Sequence, residues 1–173
     1  MITLRRLKKK DAPYMLEWMH DPQIAECFQK DMMNMALKSA EIFCETAENI
    51  LEHGKALHYA IVNENDEYLG TISLKELDLK SRTAEYAIST RRMAQGKGIA
   101  KEATKLILQK AFYEYNLHRI YLNVLETNKQ AIRFYKKCGF ILEGEFRDHI
   151  YQKEKYVSLK WYGMLKEEFN RNT

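Results

Sequence analysis

The apolar residues change period once along the chain, and that change restricts the fold more than any other feature. Leu57–Val62, Tyr68–Leu77 and Thr83–Ser89 read as three strands, with Asn63–Asp66 as the turn between the first two. From Ile99 to Tyr115 the spacing becomes helical, carried by Ile99, Ala103, Leu106, Ile107, Ala111 and Tyr115. Arg119–Leu125 returns to a strand, and Asn128–Cys138 forms a short helix stopped by Gly139. Phe140–Arg147 and Tyr156–Met164 supply two more strands. Consecutive strands followed by a strand–helix–strand passage predict an α/β (mixed α+β) fold. Its central mixed, mostly antiparallel sheet would carry helices on both faces.

Ahead of this core, Met1–Arg6 begins like a strand. Asp11-Ala12-Pro13 predicts a helix start with Asp11 as N-cap. Asp21-Pro22 interrupts that helix, a second stretch follows, and Ser39–His53 reads as another helix with Gly54 as its stop. No repeat or Gly/Ser/Pro-rich linker divides the 173 residues, so a single domain over 1–173 is expected. Hydrophobic residues make up 46% and charged residues 30%, which excludes a disordered chain. No apolar run approaches the ~18–20 residues that a membrane helix needs. The N-terminus lacks an apolar signal core, which argues against export. Cys27, Cys44 and Cys138 are widely spaced and odd in number, as reduced thiols of a cytoplasmic protein would be. With no Cys-x-x-Cys and no His-x-x-x-His, no metal is expected. The net charge of +4 suits an anionic cofactor without indicating nucleic acid.

The most informative passage is Gln95-Gly96-Lys97-Gly98-Ile99-Ala100, between a strand and a long helix. Glycines there allow close backbone approach, and the helix start aims unpaired N–H groups and its positive dipole end at an anion. A dinucleotide fingerprint would need glycine where Lys101 stands, and no P-loop motif exists in the chain. Alone, such a loop is more often a plain strand-to-helix turn.

Its setting adds more. Gln95-x-x-Gly98-x-Ala100 resembles the Q/R-x-x-G-x-G/A motif of the GNAT acetyltransferase superfamily, whose loop binds the coenzyme A pyrophosphate. Asn128 to Phe140 resembles that family's N-x-x-A-x-x-x-Y-x-x-x-G-F segment, 33 residues beyond Gln95. Glu143-Gly144, Arg147, Ala84-Glu85-Tyr86 and Leu117-His118-Arg119 resemble its RimJ/RimL and spermidine acetyltransferase branch. The resemblance covers nearly the whole chain and is weakest between Gln23 and Lys55. It implies acetyl-CoA as co-substrate and direct attack by a primary amine through a tetrahedral intermediate, without a covalent acetyl-enzyme. Cofactor contacts are then expected from Gln95, Gly96, Lys97, Gly98, Ile99, Ala100 and Asn128. Backbone N–H groups near Ile88 and Ser89 would hold the thioester carbonyl. Arg91 and Arg92, with Lys97, could meet phosphates.

A lysine-like amine has a pKa of about 10.4, so roughly one molecule in a thousand is neutral at pH 7 and a proton must be taken up. The family places a tyrosine at the position of Tyr135 as the acid for the departing thiolate. A phenol remains protonated at neutral pH, although Tyr135 could also be a core aromatic like Phe134. Glu85, a carboxylate in an otherwise apolar strand before the loop, is the candidate base; burial would raise its pKa. It could instead face solvent or pair with a lysine. Some relatives carry a glutamate twelve residues before the tyrosine, where this chain has Asn123, so the base is unassigned.

The acceptor is expected to be a small amine, a polyamine or amino sugar. The alternatives are a protein N-terminus (RimJ/RimL-like) and a non-catalytic RNA- or ribosome-binding module. That module would use Lys8-Lys9-Lys10, Arg91-Arg92 and Lys136-Lys137. Seven carboxylates between Asp21 and His53 face only Lys30 and Lys38. The family commonly walls its acceptor side with this segment, which predicts an acidic wall; solvated helix faces are the plainer reading. Members of the superfamily often pair, so a homodimer is an expectation of the resemblance alone.

Overall fold

The computed structural model describes residues 1–28, 30–49 and 56–171, with the side chains of Glu48 and Asn49 left aside. Seven strands form one sheet in the order β1-β2-β3-β4-β5-β7-β6. These are β1 (Thr3–Arg6), β2 (Leu57–Val62), β3 (Tyr68–Asp78), β4 (Thr83–Thr90), β5 (Arg119–Leu125), β6 (Ile141–Gln152) and β7 (Lys155–Leu165). Every neighbouring pair is antiparallel except β4 and β5, which run parallel.

Alternation along the strands feeds two separate cores. On one face Ile72, Leu74, Ala84, Tyr86, Ile120, Leu122 and Tyr162 pack with Ala103, Ile107 and Leu108 of α4 (Ile99–Gln109). Ile132 of α5 (Lys129–Lys137) joins them. On the other face Ala60, Val62 and Tyr68 meet Met15, Trp18 and Met19 of α1 (Ala12–Met19) and Ala40 and Cys44 of α3 (Leu37–Asn49). Each large side chain fully buried this way contributes about 1.5–3 kcal/mol. Helices thus cover both faces, as the period change requires.

Local departures have local causes. Asp11 does not cap α1 through its side chain. Its carboxylate is buried, taking both outer nitrogens of Arg5 at 2.8 Å and the Lys8 amide at 2.8 Å. Asp21 does cap α2 (Pro22–Ala25), accepting from the Gln23 amide at 3.0 Å. The helix expected to end at Tyr115 leaves α geometry after Gln109 and finishes in a π-turn, Lys110–Glu114. The helix expected from Ser39 begins earlier, at Leu37, and its expected end at His53 and Gly54 stop lie outside the described residues. A last helix, α6 (Lys166–Arg171), follows β7 and buries Phe169.

Candidate active site

The parallel pair is where the sheet opens. β4 and β5 match at three positions only: Thr83 with Arg119, Ala84 with Ile120 and Glu85 with Tyr121. β4 then runs on to Thr90 and β5 to Leu125 without further pairing to each other. The Arg91 amide donates to Leu69 O at 2.9 Å, which fixes the alternation along β4. It turns the Ser89 backbone toward β3 and the Ile88 and Thr90 backbones toward the opening. Of the two expected carbonyl-holding positions, Ile88 therefore offers its amide there and Ser89 does not. Gly70 lets β3 close on β4 at this level, since a Cβ on it would lie 2.4 Å from Ser89 O.

At the mouth, Gln95 is extended, and Gly96 and Gly98 adopt φ of 72° and 77° before α4 begins. Gly98 is the N-cap, its carbonyl accepting from the Glu102 amide at 3.1 Å. The amides of Ile99, Ala100 and Lys101 thus have no intrahelical partner. A Cβ on Gly96 or Gly98 would meet nothing within 4 Å, so the cradle has room for a pyrophosphate. Lys97 is exposed beside it. Arg91 and Arg92, also expected at phosphates, are committed elsewhere. Arg91 binds Glu17 at 2.7 and 3.1 Å and the Tyr68 carbonyl at 3.0 Å, and Arg92 binds Asp21 at 2.9 and 3.1 Å. Asn128 Oδ1 caps α5 by accepting from the Ala131 amide at 3.1 Å, which leaves only its Nδ2 for a ligand.

Tyr135 stands on α5 against the first β4 residue beyond the last β4–β5 match. Its ring meets Tyr86 edge-on at 6.0 Å and Phe140 at 6.1 Å. The hydroxyl makes no hydrogen bond among the described residues, whereas that of fully buried Tyr86 bonds Thr104 Oγ1 at 2.8 Å. Burial pushes the Tyr135 phenol well up, reinforced by the Cys27 and Cys138 thiols. Tyr135 packs with the α4–α5 core, and Cys138 ends its own helix.

Glu85 projects on the face opposite Ala84 and Tyr86. Its Oε1 accepts from Lys75 Nζ at 2.8 Å and from Asn123 Nδ2 at 3.3 Å. The expected departure at Asn123 thus has a structural answer. The β5 position that holds a glutamate in some relatives here touches a carboxylate supplied by β4. Tyr121 and Trp161 continue the same face, with rings 5.9 Å apart. Burial and the Glu85 and Glu76 carboxylates raise the Tyr121 phenol. The Trp161 indole N–H is the buried side-chain polar group without a partner among the described residues. The lysine pairing left open for Glu85 is the one found, with Lys75 brought to it by cross-strand register. Sequence reasoning missed which lysine, and it missed Trp161, which lies by Tyr121 and opposite Asn123. Beyond them, Gln152 donates to the Glu26 and Phe28 carbonyls at 3.3 and 3.4 Å, tying the β6–β7 hairpin to the end of α2.

Of the seven carboxylates expected to wall the acceptor, four are ion-paired among the described residues. Asp21 is held by Arg92, Glu26 pairs with Lys153 at 2.5 Å, and Asp31 accepts from Asn34. Glu41 and Glu45 turn to Lys9. The Glu48 side chain and Glu52 lie outside the description. The basic RNA footprint disperses likewise, because Lys9, Lys10, Arg91 and Arg92 are all ion-paired. No three His, Cys, Asp or Glu side chains among the described residues come together as a metal site. No helix among them is long and apolar enough to cross a membrane.

Unpartnered helix amides at the mouth and the parting of β4 from β5 are the two features that the resemblance leads one to expect of a coenzyme A-dependent acyltransferase. The chain belongs to the GNAT acetyltransferase family: the Acetyltransferase (GNAT) domain matches residues 1–141. It is an acetyl-CoA-dependent N-acetyltransferase. It is 31% identical to the prophage-derived uncharacterized N-acetyltransferase YokL of Bacillus subtilis, over 78% of this chain and 76% of that one. It is 24% identical to the spermidine N(1)-acetyltransferase of Vibrio cholerae, over 97% of this chain and 95% of the relative. The fold matches a crystal structure of spermidine N-acetyltransferase from Vibrio cholerae in complex with CoA and spermine. The TM-score is 0.86 at 24% identity, covering 98% of both chains.

Proposed function

We propose that the chain works as a single acetyltransferase domain over residues 1–173 and acetylates a small cationic amine of the polyamine class. One observation carries the reading. A phenol with an unspent hydroxyl and a half-buried carboxylate stand on opposite sides of the sheet, at the level where β4 and β5 part. The relationship to spermidine N(1)-acetyltransferases from Vibrio cholerae and Escherichia coli, at 24% and 26% identity, supports the acceptor class.

Acetyl-CoA supplies an activated acyl carbon and a thiolate leaving group. The Gln95–Gly98 loop and the amides of Ile99, Ala100 and Lys101 bind its pyrophosphate, with Lys97 adding charge. The Ile88 amide orients the thioester carbonyl. The amine enters on the Glu85 face, where that carboxylate binds the ammonium and passes one proton toward solvent as the nitrogen attacks. Tyr135 gives a proton to the departing sulfur from the other side. Burial keeps that phenol protonated, and the same dry surroundings make a nascent thiolate more basic. Of the two protons the ammonium loses, one passes to solvent by way of Glu85 and the other restores the Tyr135 phenol, whose own proton the thiol keeps.

The unpaired cysteines support the expected cytoplasmic location. β6, an edge strand exposed along most of its length with Ile141, Leu142 and Phe146 about half exposed, supports pairing with a second copy. The experiment is thiol release from acetyl-CoA with polyamines, amino sugars and basic peptides as acceptors. Spermidine or a close polyamine is expected to give the highest kcat/KM, and an equal or better peptide would overturn the acceptor assignment.

A further inference from the structure

Glu85 is already occupied. Its Oε1 takes both the Lys75 ammonium and the Asn123 amide, and its Oε2 has no partner among the described residues. The Lys75 side chain is 40% exposed and that of Glu85 18%, so the ammonium lies on the solvent side of the carboxylate. β3 does not hold Lys75 from beyond. The regular register ends at Lys75–Glu85 and resumes only at Asp78–Thr83, with Glu76 at φ 47°. Bulges of this kind re-aim a side chain beside a functional site. Next to Glu85 in register lies Tyr121, whose ring already carries the Arg119 guanidinium at 5.8 Å, with Trp161 beyond it.

The lysine side chain ends in a primary ammonium on a four-carbon chain. That is the same chemical group as one end of a linear polyamine, here tethered to β3. The pair is partly screened through its lysine, and two long side chains are ordered to make it, which limits what it is worth. Exchanging one ammonium for another at Glu85 keeps the charge count and leaves the carboxylate paired.

We propose that Lys75 is a resident counter-ion of the acceptor site, which a cationic amine displaces from Glu85 and which thereby sets selectivity among amines by charge. The inference rests on the reading of Glu85 as the acceptor-side carboxylate. Once displaced, Lys75 still stands nearby and repels the incoming cation. An acceptor with a single charge competes poorly, and one with several charges, gripping elsewhere too, competes well.

Steady-state kinetics with spermidine on the intact enzyme tests this, using Lys75→Met, Lys75→Gln, Glu85→Gln and the Lys75→Met/Glu85→Gln double variant, each checked for folding by its thermal transition. Both Lys75 variants are expected to lower KM roughly three- to tenfold with kcat within about twofold of the parent. Glu85→Gln should raise KM, and in the double variant the gain from removing Lys75 should vanish. If the Lys75 variants leave KM unchanged or raise it while Glu85→Gln is impaired, Lys75 is a structural partner and the inference fails alone. If Glu85→Gln has parental KM and kcat, the reading of Glu85 falls and the inference falls with it.

Discussion

Glu85 and Tyr135 address one opening from opposite faces of the sheet. The carboxylate lies at the last β4–β5 match, and the phenol packs on Tyr86, the next residue of β4. An acyl group held between them can take its nucleophile from one side and release its leaving group to the other. Neither group then has to move through the sheet.

Tyr135→Phe should therefore lower kcat roughly ten- to a thousandfold and leave acetyl-CoA affinity within about twofold. Stability should hardly change, because the lost hydroxyl has no hydrogen bond among the described residues. Tyr86→Phe is the matched control. It breaks a buried bond to Thr104 and should cost about 1 kcal/mol in denaturant unfolding while sparing kcat. Parental turnover in Tyr135→Phe would assign the acid elsewhere.

Glu85→Gln should slow turnover, with partial recovery at alkaline pH as free amine accumulates. Because Asn123 touches Glu85, a carboxylate moved to β5 should reach nearly the same point. Glu85→Gln/Asn123→Glu is thus expected to regain roughly a tenth or more of the lost activity. A double variant no better than Glu85→Gln alone would show that the position matters more than the charge.

Gly98→Val places a branched side chain in the pyrophosphate cradle, and at φ 77° it also strains the backbone by about 1–2 kcal/mol. It should abolish acetyl-CoA binding in calorimetry while a folded transition persists. Gly70→Ala acts differently. Its Cβ would drive into Ser89 O, so a loss of about 1–3 kcal/mol should accompany weakened cofactor binding. Undisturbed binding in folded Gly98→Val would remove the loop from the cofactor site.

His58 makes stability depend on pH. Burial, with Lys75 nearby, lowers its pKa to about 4, and its Nδ1 lies 2.7 Å from Ser73 Oγ. Unfolded, the imidazole titrates near 6.5, so below that pH the unfolded chain binds the extra proton. Stability should be full above about pH 6.5 and fall as pH drops toward 4, by about 1–3 kcal/mol from this residue. In thermal melts from pH 7 to 4.5, His58→Asn should show a shallower decline than the parent. Parallel curves would clear His58 of the effect.

What could be read in advance was local. β2 and β5 were predicted to the residue, since each is a short alternating run closed by turn residues at both ends. The glycine loop and Tyr135 were legible because each lies within one contiguous motif. β6 was not: it continues to Gln152 instead of stopping at Arg147, and two register shifts break its alternation. The Lys75–Glu85–Asn123 contact was hidden for a related reason. It depends on register across three strands, and β3 bulges at Glu76 while its turn into β4 passes through Arg82, both with positive φ but neither a glycine or asparagine. α6, at six residues, is too short to give a periodic signal.

The tie between the β6–β7 hairpin and the end of α2 joins segments 126 residues apart in sequence, through Gln152 and the carbonyl of Glu26. Main-chain oxygens accept those bonds, and the Glu26 carboxylate adds an ion pair to Lys153 of the same hairpin, so the fastening is part backbone and part side chain. Neither segment belongs to the parted strands or to the glycine loop. Substitutions that loosen or tighten this fastening can therefore change how the hairpin sits against the end of α2 without touching those strands or that loop.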